Sequence, residues 1–84
     1  MNIQEALIKL SDIGIEAKLV DKSRIYGGKP SKTELGFSLY AQPFSLYFDK
    51  NIWILITTKR GQNDNEEKFN TLNEAIKKLY LYYA

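Results

Sequence analysis

The sequence predicts an α+β domain with a helix at each end and an antiparallel sheet between. Two observations carry that reading. Asn2 with Glu5, and Thr71 with Glu74, form capping boxes, and each precedes apolar residues at helical spacing. Between them lie segments that alternate apolar and polar residues, the pattern of half-buried strands. The chain has 84 residues, 44% of them hydrophobic, which suits a single ordered domain over residues 1–84.

The first helix is expected over residues 3–13. Asn2 can accept from a free amide of the first turn, while Ile3, Ala6, Leu7 and Leu10 share one face, with Ile13 near the stop. Gly14 suits the left-handed residue that ends a helix. Residues 15–19, Ile-Glu-Ala-Lys-Leu, alternate as a strand. Asp21-Lys22-Ser23 can then turn the chain so that Arg24-Ile25-Tyr26 returns, or one strand can continue to Tyr26. Gly27-Gly28-Lys29-Pro30-Ser31 reads as a loop, since it joins two permissive residues to a rigid one.

The tetrapeptide Phe-Ser-Leu-Tyr occurs at residues 37–40 and again at 44–47, with Pro43 just before the second copy. On a helix the copies would stack on one face, and Ser31 with Glu34 would cap such a helix. Aromatic residues favour strand, however, and Pro43 opposes a continuous helix. Two strands, 37–41 and 44–48, are therefore expected, with a bend or bulge at Gln42-Pro43 that resets the register; one bent strand is the competing version. The repeat itself needs no function, because good strand residues recur by chance.

Asp49-Lys50-Asn51 is read as a turn, and residues 52–59 as the returning strand. Ile52, Ile54 and Ile56 lie on one of its faces, and Trp53, Leu55 and Thr57 on the other. Phe44, Leu46 and Phe48 are expected to match the isoleucine face, and Tyr47 the tryptophan face. Residues 60–67 read as a polar loop. The second helix, residues 72–82, carries Leu72, Ala75, Ile76 and Leu79 on one face, with Tyr83 continuing it and Leu81 pointing away. The expected layout is a helix, three to four antiparallel strands, and a C-terminal helix packed on one face of the sheet.

Composition narrows the chemistry. The chain has no cysteine and no histidine. Disulfides, thiolate metal sites, imidazole zinc sites and the usual general base are therefore absent. The Asn2–Gly14 stretch lacks the basic and apolar regions of a signal peptide, and no segment approaches the roughly 20 apolar residues of a membrane span. A cytoplasmic location and no membrane partner are expected. Gly28-Lys29 within "GGKPSKT" lacks the P-loop's earlier glycine, since Ser23 stands there, and its hydroxyl residue, since Pro30 follows the lysine. Asp64, Glu66 and Glu67 lack calcium-loop spacing and read as solvated charge. No paired acid and base stand out, so the chain is expected to be no enzyme and to need no cofactor.

What remains is aromatic and basic. Six tyrosines and one tryptophan suit a contact surface, although such rings also roof small cores. The candidate partner-binding residues are Tyr47, Trp53, Lys59, Arg60, Leu81 and Tyr82. Basic side chains beside rings on an open sheet also suit nucleic acid. The order helix–strands–helix is similar to that of double-stranded-RNA-binding domains. That family's lysine cluster at the last helix is replaced here by the acidic Thr71-Leu72-Asn73-Glu74. The ending Trp53…Arg60…Phe69-Asn70-Thr71…Glu74-Ala75…Tyr80 is similar to the close of AP2-type DNA-binding domains, whose arginine-rich first strands have no counterpart here. The expected function is a small protein-binding module, an inhibitor or adaptor occupying a larger protein, such as a phage or mobile-element protein acting on host defence. The alternatives are a nucleic-acid-binding domain and a homodimer.

Overall fold

Helix α1 (Ile3–Asp12) opens where the sequence places it: the Asn2 side chain accepts from the Glu5 amide at 2.8 Å, and Gly14 takes φ +80° just past the end. Helix α2 (Leu72–Tyr82) opens on Thr71, whose hydroxyl accepts from the Glu74 amide at 3.2 Å. This computed structural model describes residues 1–21, 24–32, 38–58 and 64–84. Between the helices run β1 (Glu16–Asp21), β2 (Arg24–Lys32), β3 (Ser38–Asp49), β4 (Ile52–Thr57) and β5 (Asn65–Phe69). They form one antiparallel sheet in the order β1-β2-β3-β4-β5.

Both helices lie on one face of that sheet. Ala6 and Leu10 of α1 and Leu72, Ala75, Ile76 and Leu79 of α2 are buried in one cluster with Ile25, Phe44, Leu46 and Leu55. Burying each large side chain contributes on the order of 1.5–3 kcal/mol, so this single layer supplies most of the domain's stability. Leu81 points outward and is 74% exposed, as its helical position requires.

The strands depart from expectation in four places. Gly27-Gly28-Lys29-Pro30-Ser31 belongs to β2 and not to a loop. A Cβ at Gly27 would run into the backbone oxygen of Glu16, and one at Gly28 would lie 2.9 Å from the Tyr40 Cβ. These glycines mark close strand approach beside a bulge, not a break. Second, β3 is one strand through the repeat, the bent-strand version, with Gln42 at φ 52°. Gly27 pairs with Phe44 but Lys29 with Ala41, so β3 carries the extra residue of a bulge at Gln42-Pro43. Phe37, the Ser31–Glu34 cap and the Asp21-Lys22-Ser23 turn fall wholly or partly outside the described residues.

Third, residues 65–67 of the expected polar loop, with Lys68 and Phe69, form the edge strand β5. Its sequence, Asn-Glu-Glu-Lys-Phe, hides the alternation because an edge strand with one open face has little to bury. Fourth, and with most consequence, β4 is turned over. Asp49 pairs with Ile52, so the hairpin loop is only Lys50-Asn51, both residues at positive φ (49° and 67°). That is the two-residue geometry whose twist matches antiparallel strands. Leu46 then pairs with Leu55 and Phe48 with Trp53, while Tyr47 pairs with Ile54. Trp53 and Leu55 lie under the helices, and the isoleucines face the other way.

Two stability measurements check this layout. Leu79→Ala should cost about 2–5 kcal/mol in urea unfolding through lost burial and a cavity, and Leu81→Ala far less. In the hairpin, Lys50→Gly should hold or raise the midpoint. Asn51→Val, which places a β-branched residue at φ 67°, should lower stability by roughly 1–2 kcal/mol.

Candidate functional site

With both helices on one side, none of the described residues forms a layer over the opposite face of the sheet. The register fixes what it carries. Reading across from β1 to β5, one row is Lys18, Tyr26, Ser45, Ile56 and Glu66; the next is Asp21, Arg24, Tyr47, Ile54 and Lys68. Asp49 and Ile52 follow at the hairpin end. Tyr26 is 43% exposed, whereas Ile54 is only 6% exposed although no helix covers it. Its neighbours on the face, Tyr47 and Lys68 across the strands, screen it.

The tyrosines are held in defined positions. The Arg24 guanidinium lies 4.7 Å from the centroid of the Tyr47 ring, a cation–π contact. The rings of Tyr26 and Tyr40 meet at 5.7 Å. Tyr40 reaches this face because of the Gln42-Pro43 bulge: without the extra residue, alternation would put Tyr40 and Tyr47 on opposite sides. The repeat is thus two turns of one strand pattern with its tyrosines brought to the same surface.

The bulge is itself pinned from the far side. The Tyr83 hydroxyl donates to the Gln42 carbonyl at 2.6 Å, and its ring packs edge-on to Phe44 at 6.2 Å and to Tyr82 at 4.8 Å. Tyr82 donates to the Thr58 carbonyl at 3.4 Å. Burial, with the neighbouring Tyr82 adding to it, holds the Tyr83 phenol well above the ordinary tyrosine range, and burial raises Tyr82 as well.

The expected site residues therefore scatter. Tyr47 is on the uncovered face and half-buried. Trp53 is not beside it: it is half-buried against the helix-side core, 5.2 Å from the Phe48 ring and paired with Phe69. Leu81 and Tyr82 sit at the end of α2, Leu81 in solvent and Tyr82 turned toward Thr58. Lys59 and Arg60 lie outside the described residues. The structure adds Tyr26, Tyr40, Ile52, Ile54 and Ile56 to Tyr47. The even spacing of the isoleucines was visible in the sequence; a one-residue error in the hairpin loop sent them to the wrong side.

The acidic group also comes apart. Glu66 faces the uncovered side, and Glu67 the helix side, where it lies 3.6 Å from Lys78. Asp64 accepts from the Thr58 hydroxyl at 2.9 Å. Among the described residues no group of His, Cys, Asp and Glu is gathered as a metal site, and no helix is long and apolar enough to cross a membrane. Compared with protein families, curated proteins and solved structures, the chain matches none.

The Tyr83 anchor is testable by pH. A raised phenol pKa in the folded state means that the unfolded chain ionises first. Stability should be complete below about pH 10 and fall as pH rises above it. Tyr83→Phe should cost about 0.5–1.5 kcal/mol at neutral pH and flatten part of the alkaline fall, leaving the share due to Tyr82. Urea unfolding at pH 8 and pH 11 measures both effects.

Proposed function

We propose that this chain is a non-enzymatic protein-binding module that works through the uncovered sheet face, acting as an inhibitor or adaptor does by occupying a protein surface. One observation carries the reading. A five-stranded sheet whose helices all lie on one side carries three tyrosines on the other, with Ile52 and Ile56 half-buried beside them and Ile54 screened beneath. Tyrosine combines a large ring with a polar tip at low entropic cost and is enriched at binding sites. The face is also nearly balanced in charge. Lys18, Arg24 and Lys68 share it with Glu16, Asp21, Asp49 and Glu66. Such balance favours protein over a polyanion.

A nucleic-acid reading rests on Arg24 lying over the Tyr47 ring beside the exposed Tyr26, since rings flanked by cations stack on bases. The two readings separate experimentally. The chain is immobilised and used to capture partners from the cells that express it, with and without nuclease and at rising salt. A protein partner should survive nuclease and moderate salt, and Tyr47→Ala should weaken its binding by about 2 kcal/mol or more. Trp53→Ala should act on folding stability, since its ring packs against the core. Capture abolished by nuclease, with affinity falling steeply with salt, would move the function to nucleic acid.

A further inference from the structure

The two central rows of the uncovered face are chemical complements of each other, strand by strand. On β1 the rows carry Lys18 and Asp21; on β2, Tyr26 and Arg24; on β3, Ser45 and Tyr47; on β4, Ile56 and Ile54; on β5, Glu66 and Lys68. We propose that this face is the interface of a homodimer, with a two-fold axis running across the strands between the two rows. The proposal rests on the protein-binding reading of the face and names its occupant as a second copy of this chain.

The geometry is that of an isologous contact, in which one patch meets itself. Rotation about such an axis lays each strand on the same strand of the other copy with the rows exchanged. Lys18 then meets Asp21 and Glu66 meets Lys68, each pair twice. The ring of Tyr26 meets the guanidinium of Arg24, and Ile56 comes over the position of Ile54, which Tyr47 and Lys68 of its own copy screen. No like charges face each other in either row. A two-fold axis along β3 serves the face less well. It sets the charge of Arg24 on the aliphatic Ile54 and brings Asp49 toward its own copy.

Size sets the expected strength. Five strands about 4.8 Å apart and some 20 Å of strand length give roughly 500 Å² of sheet plane per copy, near the lower limit for a specific interface. Sheets packed face to face cross at about 30°. That displaces the outer strands by about 5 Å, a gap that lysine and glutamate side chains can span. A dimer of roughly micromolar affinity is expected, with the edge charges selecting its register.

The test uses Glu66 and Lys68, which are exposed on the edge strand. Sedimentation equilibrium of the full chain across micromolar to several hundred micromolar should show a monomer–dimer equilibrium. Glu66→Lys and Lys68→Glu should each weaken it, roughly tenfold, by setting like charges against each other. The double variant should restore it, and so should an equimolar mixture of the two single variants, whose copies pair lysine with glutamate. Circular dichroism confirms that each variant is folded. A chain that stays monomeric throughout overturns the dimer, while the Tyr47→Ala capture experiment judges the protein-binding reading separately. A dimer indifferent to both reversals, or one that the mixture does not restore, overturns this face and axis as its seat.

Discussion

The two-residue loop at Lys50-Asn51 decides which half of this protein is inside. β3 states its own polarity: Phe44, Leu46 and Phe48 alternate with Ser45, Tyr47 and Asp49. β4 does not, because it is apolar on both sides. Whether the isoleucines or the Trp53-Leu55 pair go under the helices is therefore settled by how β4 is joined to β3. A loop of two residues pairs even-numbered positions of β3 with odd-numbered positions of β4; a loop of three would do the reverse. Two residues at positive φ are the cost of that tight connection, and Asn51 bears it better than most.

A second local constraint acts on the other side of β3. The extra residue at Gln42-Pro43 shifts the register against β2 by one, opposite the paired glycines that let the backbones come close. Its left-handed residue is tied down by Tyr83, just past the end of α2 and forty-one positions away in the chain. The C-terminal helix thus does two things. Its leucines and isoleucine close the core, and Tyr83 fixes the bulge that turns Tyr40 to the uncovered face. A change at the C-terminus is coupled in this way to the geometry of a surface it never touches.

Much of this was legible in the sequence. The two helices, their capping residues and their buried faces follow from short-range spacing, and α2 spans the expected residues 72–82. The bulge at Gln42-Pro43 was signalled by the odd spacing of the repeat. What escaped was information held between strands. Gly27-Gly28 reads as a loop until the partner strand shows why no side chain fits. The Asn65–Phe69 strand has no apolar alternation because it lies at an edge and one of its faces is open. For the candidate site, Tyr47 lies on the face opposite Phe44, Leu46 and Phe48, as its alternation with them implies. Trp53 was assigned to the wrong surface by a single residue in a turn, the smallest error that can invert a strand.

The three isoleucines lie on the uncovered face only because of the hairpin register, so any binding or self-association they support stands or falls with it. Cross-strand nuclear Overhauser effects read this register directly. The account predicts backbone proximity of Leu46 to Leu55 and of Tyr47 to Ile54. It further predicts Leu55 methyl contacts with the core side chains of α2, and no such contacts from Ile54. Proximity of Leu46 to Ile54, with the Ile54 methyls against Ile76 or Leu79, would contradict it and return the isoleucines to the core.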